Sequence, residues 1–490
     1  MIRAGLGAVA LLVFTVMLAS PTRGEELLPL PAVVHLHSDL STGEYTLEEL
    51  AEMAERQGIG ALLLSENYLN RVDYGLPPFR ALTRVSQGSP SVHDRLGDYF
   101  DRVARARAAR PGVLLVPGVE VMPHYRWTGS PLTLELLVTD TQKNILVWGL
   151  TERATLAAIP AIGNVEGGEY SLQSLLDALP VLLLVPGVAL LLIKRQRRQR
   201  VGAAVMLVKQ RQWMAGLALC AIAVVTLVRG WPFTHGIYSA YEDPGVAPHQ
   251  AVIDFVERHG GVAVWSFPEA RDLGAQNFGP VRVTWSTDPY PDDLLRTFRY
   301  TAFGAVYEET TRVERPGGAW DRILGQYAAG ERSRPTWGLG ESGFHDSSAG
   351  KRLARVQTVF LVRERSETGV LEALRRGRLY ARHRSPQTAL ALNDFAATSD
   401  ESRAVSGDTL RPAPGAVVSL VIGIDAVGAA AADLKVVLIK NGEIANAWTG
   451  GTPFTAIHRE AWDGRPAVFR LEARGGGGRL LSSPIFVRPS

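Results

Sequence analysis

The stretch PAVVHLHSDLSTGEYTLEELAEMAERQGIGALLLSEN, residues 31–67, decides the fold class. It opens with an apolar run that ends in two histidines, His35 and His37, with one residue between them. The residues TLEE, 46–49, match a helix capping box, and apolar residues follow at helical spacing. The apolar run 59–64 then predicts a short buried strand. Strand, helix and strand in this order predict a βαβ unit with a parallel sheet.

The same alternation continues beyond this unit. Helical periodicity predicts helices at residues 95–110, 248–261 and 366–381, with apolar runs typical of strands between them. Alternating β and α elements over most of the chain indicate an α/β barrel or a doubly wound sheet.

The last part of the chain has a different pattern. From residue 386 onward, β-rich runs are separated by Gly, Asp and Asn turns, and helical periodicity ends. This predicts an antiparallel β-sandwich over residues 386–490. Asn441-Gly442 lies between two such runs and predicts a hairpin turn.

Three segments indicate a membrane. Residues 1–24 have a basic start and an apolar run, which is typical of a signal peptide or an uncleaved anchor. Residues 175–193 and 213–228 are apolar runs close to the length of a membrane span. The segment 194–212 between them carries seven Lys or Arg residues and no acid. The positive-inside rule places this segment in the cytoplasm, so both flanking regions are expected outside.

Composition narrows the functional classes. The chain has 490 residues, 21% of them charged and 46% hydrophobic, with a net charge of +3. This excess is small and concentrated in one segment, so no nucleic-acid partner is expected. The one cysteine, Cys220, excludes a disulfide within the chain.

The predicted strand ends carry imidazoles and carboxylates. They are His35 and His37, then Glu66, Glu120 and His345. In parallel α/β folds, chemistry lies at the carboxyl ends of the strands. Side chains of these types, converging from separate strands, suit a divalent transition metal such as Zn, Mn or Fe.

The order of these motifs resembles the PHP family (polymerase and histidinol phosphatase-like), metal-dependent phosphoesterases on a distorted (β/α)7 barrel. The likeness rests on VVHLHS, LLVPGVEV, GGVAVWSFPEA and TWGLGESGFHD, and it covers about residues 31–385. It is strongest to membrane-attached, exported members with an inserted helix pair and a C-terminal β-domain. The resemblance implies His35, His37, Glu66, Glu120 and His345 as ligands of one or two divalent ions, and a metal-bound hydroxide as nucleophile.

The resemblance also implies the organisation of the whole chain. It gives a signal peptide or anchor at 1–24, a first part of the PHP-like domain at 25–174, a transmembrane hairpin at 175–228, a second part of that domain at 229–385, and the β-sandwich at 386–490. Both soluble parts are then expected on the periplasmic side of a bacterial inner membrane.

Three positions depart from the family pattern. Asn67 and Phe267 stand where the family has His, and Gly343 stands where it has Asp. Glu341 or Asp346 is a possible replacement for the missing carboxylate, and His124 is a possible extra ligand. His235, His249, Arg126 and Arg282 are expected to be structural or surface residues.

Two functions therefore remain open at the level of sequence. One is a membrane-anchored phosphoesterase that acts on a small phosphoester. The other is a degenerate, non-catalytic PHP domain that serves as a binding or scaffolding module, with a glycan, peptide or protein partner for the β-sandwich.

Overall fold

The structure is a computed structural model that describes residues 27–166, 168–202, 204–309, 311–348, 350–400, 402–428 and 431–489. The signal peptide or anchor expected at residues 1–24 lies outside these ranges.

The strands are numbered in chain order. They are β1 (Leu28–Leu36), β2 (Ala61–Leu64), β3 (Glu66–Asn67), β4 (Arg71–Tyr74), β5 (Val85–Gly88), β6 (Leu114–Val116), β7 (Gly118–Val121), β8 (Arg126–Ser130), β9 (Glu135–Thr139), β10 (Ile145–Trp148), β11 (Arg195–Val201), β12 (Ala204–Gln210), β13 (Val262–Trp265), β14 (Asp272–Phe278), β15 (Val281–Thr287), β16 (Ala302–Val306), β17 (Trp337–Gly340), β18 (Val356–Val362), β19 (Leu379–His383), β20 (Thr388–Ser399), β21 (Ser402–Val405), β22 (Thr409–Leu410), β23 (Val417–Gly428), β24 (Asp433–Lys440), β25 (Glu443–Gly451), β26 (Phe454–Ala461), β27 (Ala467–Gly475), β28 (Gly478–Ser482) and β29 (Ile485–Val487).

The helices follow the same rule. They are α1 (Leu47–Arg56), α2 (Leu96–Ala109), α3 (Arg153–Ala157), α4 (Leu172–Ala178), α5 (Leu184–Leu192), α6 (Trp213–Gly230), α7 (Ala247–Arg258), α8 (Pro291–Arg296), α9 (Ala319–Ala328) and α10 (Glu367–Arg376), with 3-10 turns at His93–Arg95, Pro131–Thr133 and Leu179–Leu183.

The predicted βαβ unit is confirmed. Strand β1 pairs in parallel with β2, and α1 connects them. The Thr46 side chain accepts a hydrogen bond from the Glu49 backbone, and the Glu49 carboxylate accepts one from the Thr46 backbone. Reciprocal bonds of this kind satisfy two backbone donors that the first helical turn leaves free. The capping box therefore starts α1 where the sequence predicts it.

The strands of the α/β part are hydrogen-bonded in a continuous series. From β1 the series runs through β2 and β6, continues along their extensions β3 and β7, and then passes through β10, β13, β16 and β17. Strand β10 is antiparallel to both of its neighbours. Backbone bonds from Ser342 N to Val34 O and from Phe344 N to His35 O join the chain after β17 to β1. The ends of β1, β3 and β7 thus lie at one edge.

Two helical segments are long and apolar enough to cross a membrane by length and composition. They are Leu172–Leu192 and Trp213–Gly230. They pack closely at Gly187 and Gly216, since a Cβ on Gly216 would lie 2.9 Å from the Gly187 carbonyl oxygen. Small residues at a contact allow this approach of two helix backbones. The basic segment between the helices forms the antiparallel pair β11 and β12.

The C-terminal part consists of two facing sheets with an apolar core between them. One contains β21, β20, β23 and β26; the other contains β25, β24, β27, β28 and β29 and continues into β19 and β18. Strands from both sides of residue 386 therefore share one sheet. The predicted hairpin turn is confirmed: Lys440 pairs with Glu443, and Asn441 and Gly442 both have positive φ.

Candidate metal centre

His35 and His37 lie at the end of β1, where the strand is irregular. The pairing of β1 with β2 shifts register between Val34 and Leu36, and His35 has a φ of +66°. Both histidines are buried. Their Nε2 atoms lie 3.1 Å apart, so the two rings present nitrogens to one point. The irregular backbone at His35 therefore goes together with the close approach of the His35 and His37 rings, which a regular strand would hold further apart.

Glu120 completes this arrangement from β7. Its two carboxylate oxygens each lie 3.5 Å from an imidazole nitrogen, Oε1 from His35 Nε2 and Oε2 from His37 Nε2. Asn144 Nδ2 donates to Oε1 at 2.9 Å and fixes the carboxylate. Ligands about 2.1 Å from a tetrahedral zinc ion are separated by about 3.4 Å. The His35–His37–Glu120 cluster matches that spacing and could hold a metal ion.

The outer nitrogens of both histidines have partners that set the tautomers. His35 Nδ1–H donates to Glu341 Oε1 at 2.6 Å. His37 Nδ1–H donates to Ser41 Oγ at 3.2 Å, and Ser41 in turn donates to Glu66. With a proton on each Nδ1, a cation that displaces the proton shared by the two Nε2 atoms would meet a lone pair on each of them. Partners of this type are usual for metal-binding histidines and orient the ring.

Glu341 is itself held from two directions. Ser266 Oγ donates to Oε1 at 2.6 Å, and the Phe267 backbone N–H donates to Oε2 at 3.0 Å. The side chain is buried, so the hydrogen bond from His35 to its carboxylate is not weakened by solvent. Sequence reasoning considered Glu341 only as a replacement ligand and missed its role as the partner of His35.

The electrostatics of the cluster favour a positive charge at its centre. Burial lowers the pKa of His35, but attraction to Glu120 and hydrogen bonds to Glu120 and Glu341 outweigh it and raise this pKa to about 9. Burial raises the pKa of Glu120, but attraction to His35 and His37 outweighs it and lowers this pKa to about 2. Burial and then repulsion from His35 and His345 hold the pKa of His37 well below its usual value, despite the attraction of Glu120.

Glu66 lies beside the cluster and faces the serines after β1. Oε1 accepts hydrogen bonds from Ser38 N at 3.0 Å and from Ser38 Oγ at 2.6 Å, and Oε2 accepts from Ser41 Oγ. Burial raises the pKa of this carboxyl group. Glu66 thus reaches His37 through Ser41, and it is not among the ligand atoms that the described residues bring together.

His345, the fifth predicted ligand, also lies outside that group of ligand atoms. Its ring stacks on the His37 ring with a centroid distance of 4.1 Å and an interplanar angle of 9°. Its Nδ1 lies 3.0 Å from Thr42 Oγ1. Burial lowers the pKa of His345, which favours the neutral ring. Parallel stacking places this ring alongside His37 and supports its orientation.

The residues that depart from the family pattern fill the space around the cluster. Phe267 stacks on the His35 ring at a centroid distance of 5.1 Å. A Cβ on Gly343 would lie 2.8 Å from the Phe267 ring. Asn67 Nδ2 donates to Thr42 Oγ1 at 3.1 Å. Phe267 and Gly343 therefore form a matched pair, in which the glycine leaves room for the aromatic ring.

Three further histidines named from the sequence have partners outside the cluster. His124 Nε2 donates to Ser239 O and His249 Nε2 donates to Lys143 O, each at 3.0 Å, while His235 lies 3.1 Å from Asp177. Further side chains weighed from the sequence lie in surface contacts or strands: Arg126 pairs with Asp243, Asp346 accepts from Ser348 N, and Arg282 is part of β15.

No protein-family model matches this chain, and no curated protein matches it either. Among solved structures, the chain is similar to a two-domain protein from Bacteroides vulgatus that contains a predicted PHP-like metal-dependent phosphoesterase, with 13% identity, a TM-score of 0.35 and 91% of each chain covered. A candidate metal-dependent phosphoesterase from Bifidobacterium adolescentis has 12% identity and a TM-score of 0.27, over 66% of this chain and 90% of that one. An amidohydrolase from Chromobacterium violaceum with bound sulfate and no metal has 14% identity and a TM-score of 0.27, over 65% and 89%. Likenesses of this degree assign neither a family nor an activity to this chain.

Proposed function

We propose that this protein is a membrane-anchored, extracytoplasmic PHP-like phosphoesterase that depends on a divalent metal. The observation that carries the proposal is the His35–His37–Glu120 cluster, with both Nε2 atoms directed to one point beside a buried carboxylate. The continuous series of strands, which returns from β17 to β1, is consistent with the expected PHP-like barrel.

The side chains around the cluster prepare it for one cation. Bound Zn, Mn or Fe would act as a Lewis acid that polarises a phosphoryl oxygen of a small phosphoester. Glu341 orients His35, and Ser41 orients His37 with support from Glu66. Phe267 covers one face of His35 and excludes water from it. The proposed count is one ion, since the described residues form one such cluster.

The proposed location is the periplasmic face of a bacterial inner membrane. The helical segments Leu172–Leu192 and Trp213–Gly230 have the length and hydropathy of membrane spans. The basic segment 194–212 between them would face the cytoplasm by the positive-inside rule. The α/β part and the C-terminal sheets would then both lie outside, where the latter could contact a glycan or a protein.

A second candidate is a metal-free binding module. It is favoured by Phe267 and Asn67, which occupy two positions where ligands are expected. Phe267 stacks on His35, and Asn67 donates a hydrogen bond to Thr42. In that case the C-terminal sheets and the metal-free site would bind a partner at the membrane.

Metal content and hydrolysis distinguish the two candidates. We expect the full-length protein, purified in detergent and dialysed against Zn or Mn, to retain about one ion per chain and to hydrolyse an aryl phosphate. Glu120→Gln should abolish hydrolysis and weaken retention of the ion, because it removes the charge that attracts the cation. Glu443→Gln, at an exposed position in β25, is the matched control and should change neither. No retained metal would refute the proposed centre and favour the metal-free binding module, whereas retained metal without hydrolysis would refute the phosphoesterase activity and leave the metal centre standing.

A further inference from the structure

A cavity of about 850 Å³ lies where the start of the first apolar helix and the end of the second meet β4, the segment after it and the loop after β7. Tyr74 of β4 and Tyr125 after β7 line it, together with Gln173 and Arg229 at the ends of the helices. Its volume is typical of a small-molecule site. None of the residues of the metal centre lines this cavity.

We propose that this cavity binds the phosphate-bearing headgroup of an anionic membrane lipid. The inference rests on the membrane attachment in the proposed function and does not require catalysis. It extends that function by naming the molecule that the helix pair brings against the soluble part.

The position of the cavity follows from the two helices. The first begins at residue 172 and the second ends at residue 230, so both of these ends lie on the same side of the helix pair. The side chains next to them are exposed and apolar or aromatic: Tyr170, Leu172, Trp231 and Ile237. Tyr and Trp concentrate at the headgroup level of membranes. If the helices span a bilayer, the mouth of the cavity lies at this level.

Three arginines supply the positive charge for a phosphate. Arg80 and Arg84 are half-buried in the cavity wall, and Arg229 is exposed beside them. Arg80 stacks on the Tyr241 ring, 3.3 Å from its centroid, and donates to Gly75 O. Aromatic stacking holds the guanidinium plane in place and leaves its edge available.

These guanidinium groups have capacity left for a ligand. Arg84 donates to Arg229 O, and Arg229 Nη1 donates to Leu82 O and Arg84 O. A guanidinium has five N–H donors, and these bonds use only some of them. Within the part of the chain that the structure describes, no carboxylate forms an ion pair with Arg80, Arg84 or Arg229. Arginine forks of this kind bind phosphate through paired hydrogen bonds.

The acidic residues of the cavity wall form no ion pair with these three arginines. Three of them have basic neighbours of their own, and the fourth, Glu242, is exposed. The neighbouring pairs are Asp73 with Arg71 at 3.1 Å, Asp94 with His93 at 2.9 Å, and Asp177 with His235 at 3.1 Å. Arg80, Arg84 and Arg229 are therefore the cations of the lining that pair with none of these carboxylates.

The test compares three ligands on the full-length protein in detergent. We expect short-chain phosphatidylglycerol to raise the thermal midpoint in a saturable way. Short-chain diacylglycerol, which lacks the phosphate, and inorganic phosphate, which lacks the acyl chains, should leave it unchanged. An equal shift with inorganic phosphate would overturn the assignment to a lipid, and an equal shift with diacylglycerol would overturn the role of the arginines.

Substitution of the arginines provides the matched comparison. Arg80→Gln combined with Arg229→Gln should raise the phosphatidylglycerol concentration that gives half of the thermal shift at least tenfold. Arg271→Gln, which removes an exposed ion pair with Asp288 just before β14, should leave it unchanged. Retained metal binding and far-UV circular dichroism verify that the variants are folded. If the double variant does not fold, the single variant Arg80→Gln takes its place. A lipid response that survives both substitutions overturns the proposal.

Membrane extraction separates this inference from the proposed function. If alkaline carbonate releases the protein from membranes, membrane attachment fails, and the lipid site fails with it. If the protein stays in the membrane while its response to phosphatidylglycerol does not depend on the arginines, only the lipid site fails. Loss of hydrolysis in Glu120→Gln tests the metal centre and leaves the lipid site unaffected.

Discussion

Two nitrogen atoms, His35 Nε2 and His37 Nε2, face each other across 3.1 Å at the edge of the strand series. Their lone pairs would repel unless a proton or a metal ion lies between them. The tautomers that create this situation depend on Glu341 for one ring and on Ser41 for the other. At the residue scale, the site is thus set as much by the partners of the histidines as by the histidines themselves.

Glu341→Gln should weaken divalent metal binding about 10- to 100-fold, because a neutral amide holds the His35 ring less firmly and makes Nε2 a weaker ligand. Isothermal titration of the full-length protein with Zn or Mn measures this change. Glu372→Gln, in a partly exposed ion pair on α10, is the control and should bind metal as the unsubstituted protein does. Unchanged affinity in Glu341→Gln would show that the carboxylate does not support His35.

Gly343→Ala should destabilise the protein more than Gly330→Ala does. Both glycines have positive φ, a conformation that costs other residues about 1–2 kcal/mol. At Gly330 no atom lies within 4 Å of an added Cβ, whereas at Gly343 the Phe267 ring lies 2.8 Å away. Thermal midpoints of the two variants isolate the clash. In a Phe267→Ala background, Gly343→Ala should lower the thermal midpoint no more than Gly330→Ala does. Equal losses in the two single glycine variants would contradict the clash.

Secondary-structure elements meet at His249, which joins α7 to the sheet. Its Nε2 donates to Lys143 O at 3.0 Å, and its ring stacks on Trp265 of β13 at a centroid distance of 4.9 Å. Burial, followed by repulsion from Lys143, lowers the pKa of His249 from 6.5 to about 3, against a smaller opposing effect of the Lys143 hydrogen bond. The folded protein therefore keeps this ring neutral under conditions in which an unfolded chain protonates it.

This difference predicts a loss of stability in acid. Between pH 6.5 and about 3 the unfolded chain binds a proton that the folded protein excludes, so unfolding becomes easier as the pH falls through this range. The contribution of His249 is complete above pH 6.5 and changes by at most about 1.4 kcal/mol per pH unit below it. Thermal midpoints between pH 7 and 4 should fall less steeply in His249→Gln. The variant His259→Gln, at an exposed ring at the end of α7, should keep the original slope. Identical slopes in all three proteins would contradict the assignment.

At the scale of the whole molecule, a buried ion pair ties the C-terminal sheets to the α/β part. Arg470 of β27 donates to Asp321 of α9 through two bonds, at 2.6 and 2.7 Å, and to Glu314 O at 2.8 Å. The Arg470 side chain is 1% exposed. A bidentate pair in this setting fixes the relative position of the elements that carry its two partners.

Asp321→Ala should lower the free energy of unfolding by about 3–5 kcal/mol, because it leaves a buried guanidinium without its counter-charge. Arg474→Ala removes one partner of an ion pair in which the arginine is exposed, and it should cost about 0–1 kcal/mol. Chemical denaturation of the full-length protein in detergent measures both. A loss in Asp321→Ala no larger than that in Arg474→Ala would show that this contact does not hold the two parts together.

The sequence by itself determined what depends on neighbouring residues. The capping box at Thr46 and Glu49, the parallel unit β1–α1–β2, the hairpin at Asn441-Gly442 and the two apolar helical segments are all encoded within short windows. Turn chemistry and hydrophobic periodicity act over such windows, so their patterns are legible in one chain. The position of His35 and His37 at the end of β1 follows from the same local pattern.

Only the tertiary structure decided how the site is assembled. Glu341 binds His35 across 306 residues of sequence, and no local pattern specifies that contact. Glu66 is predicted as a ligand from the sequence, and only the structure shows that its oxygens accept hydrogen bonds from Ser38 and Ser41. Which polar groups meet depends on how strands close against one another, because a buried carboxylate takes the donors that packing brings nearest. The local sequence therefore supplies the histidines, and the packing of distant strands decides which groups they bind.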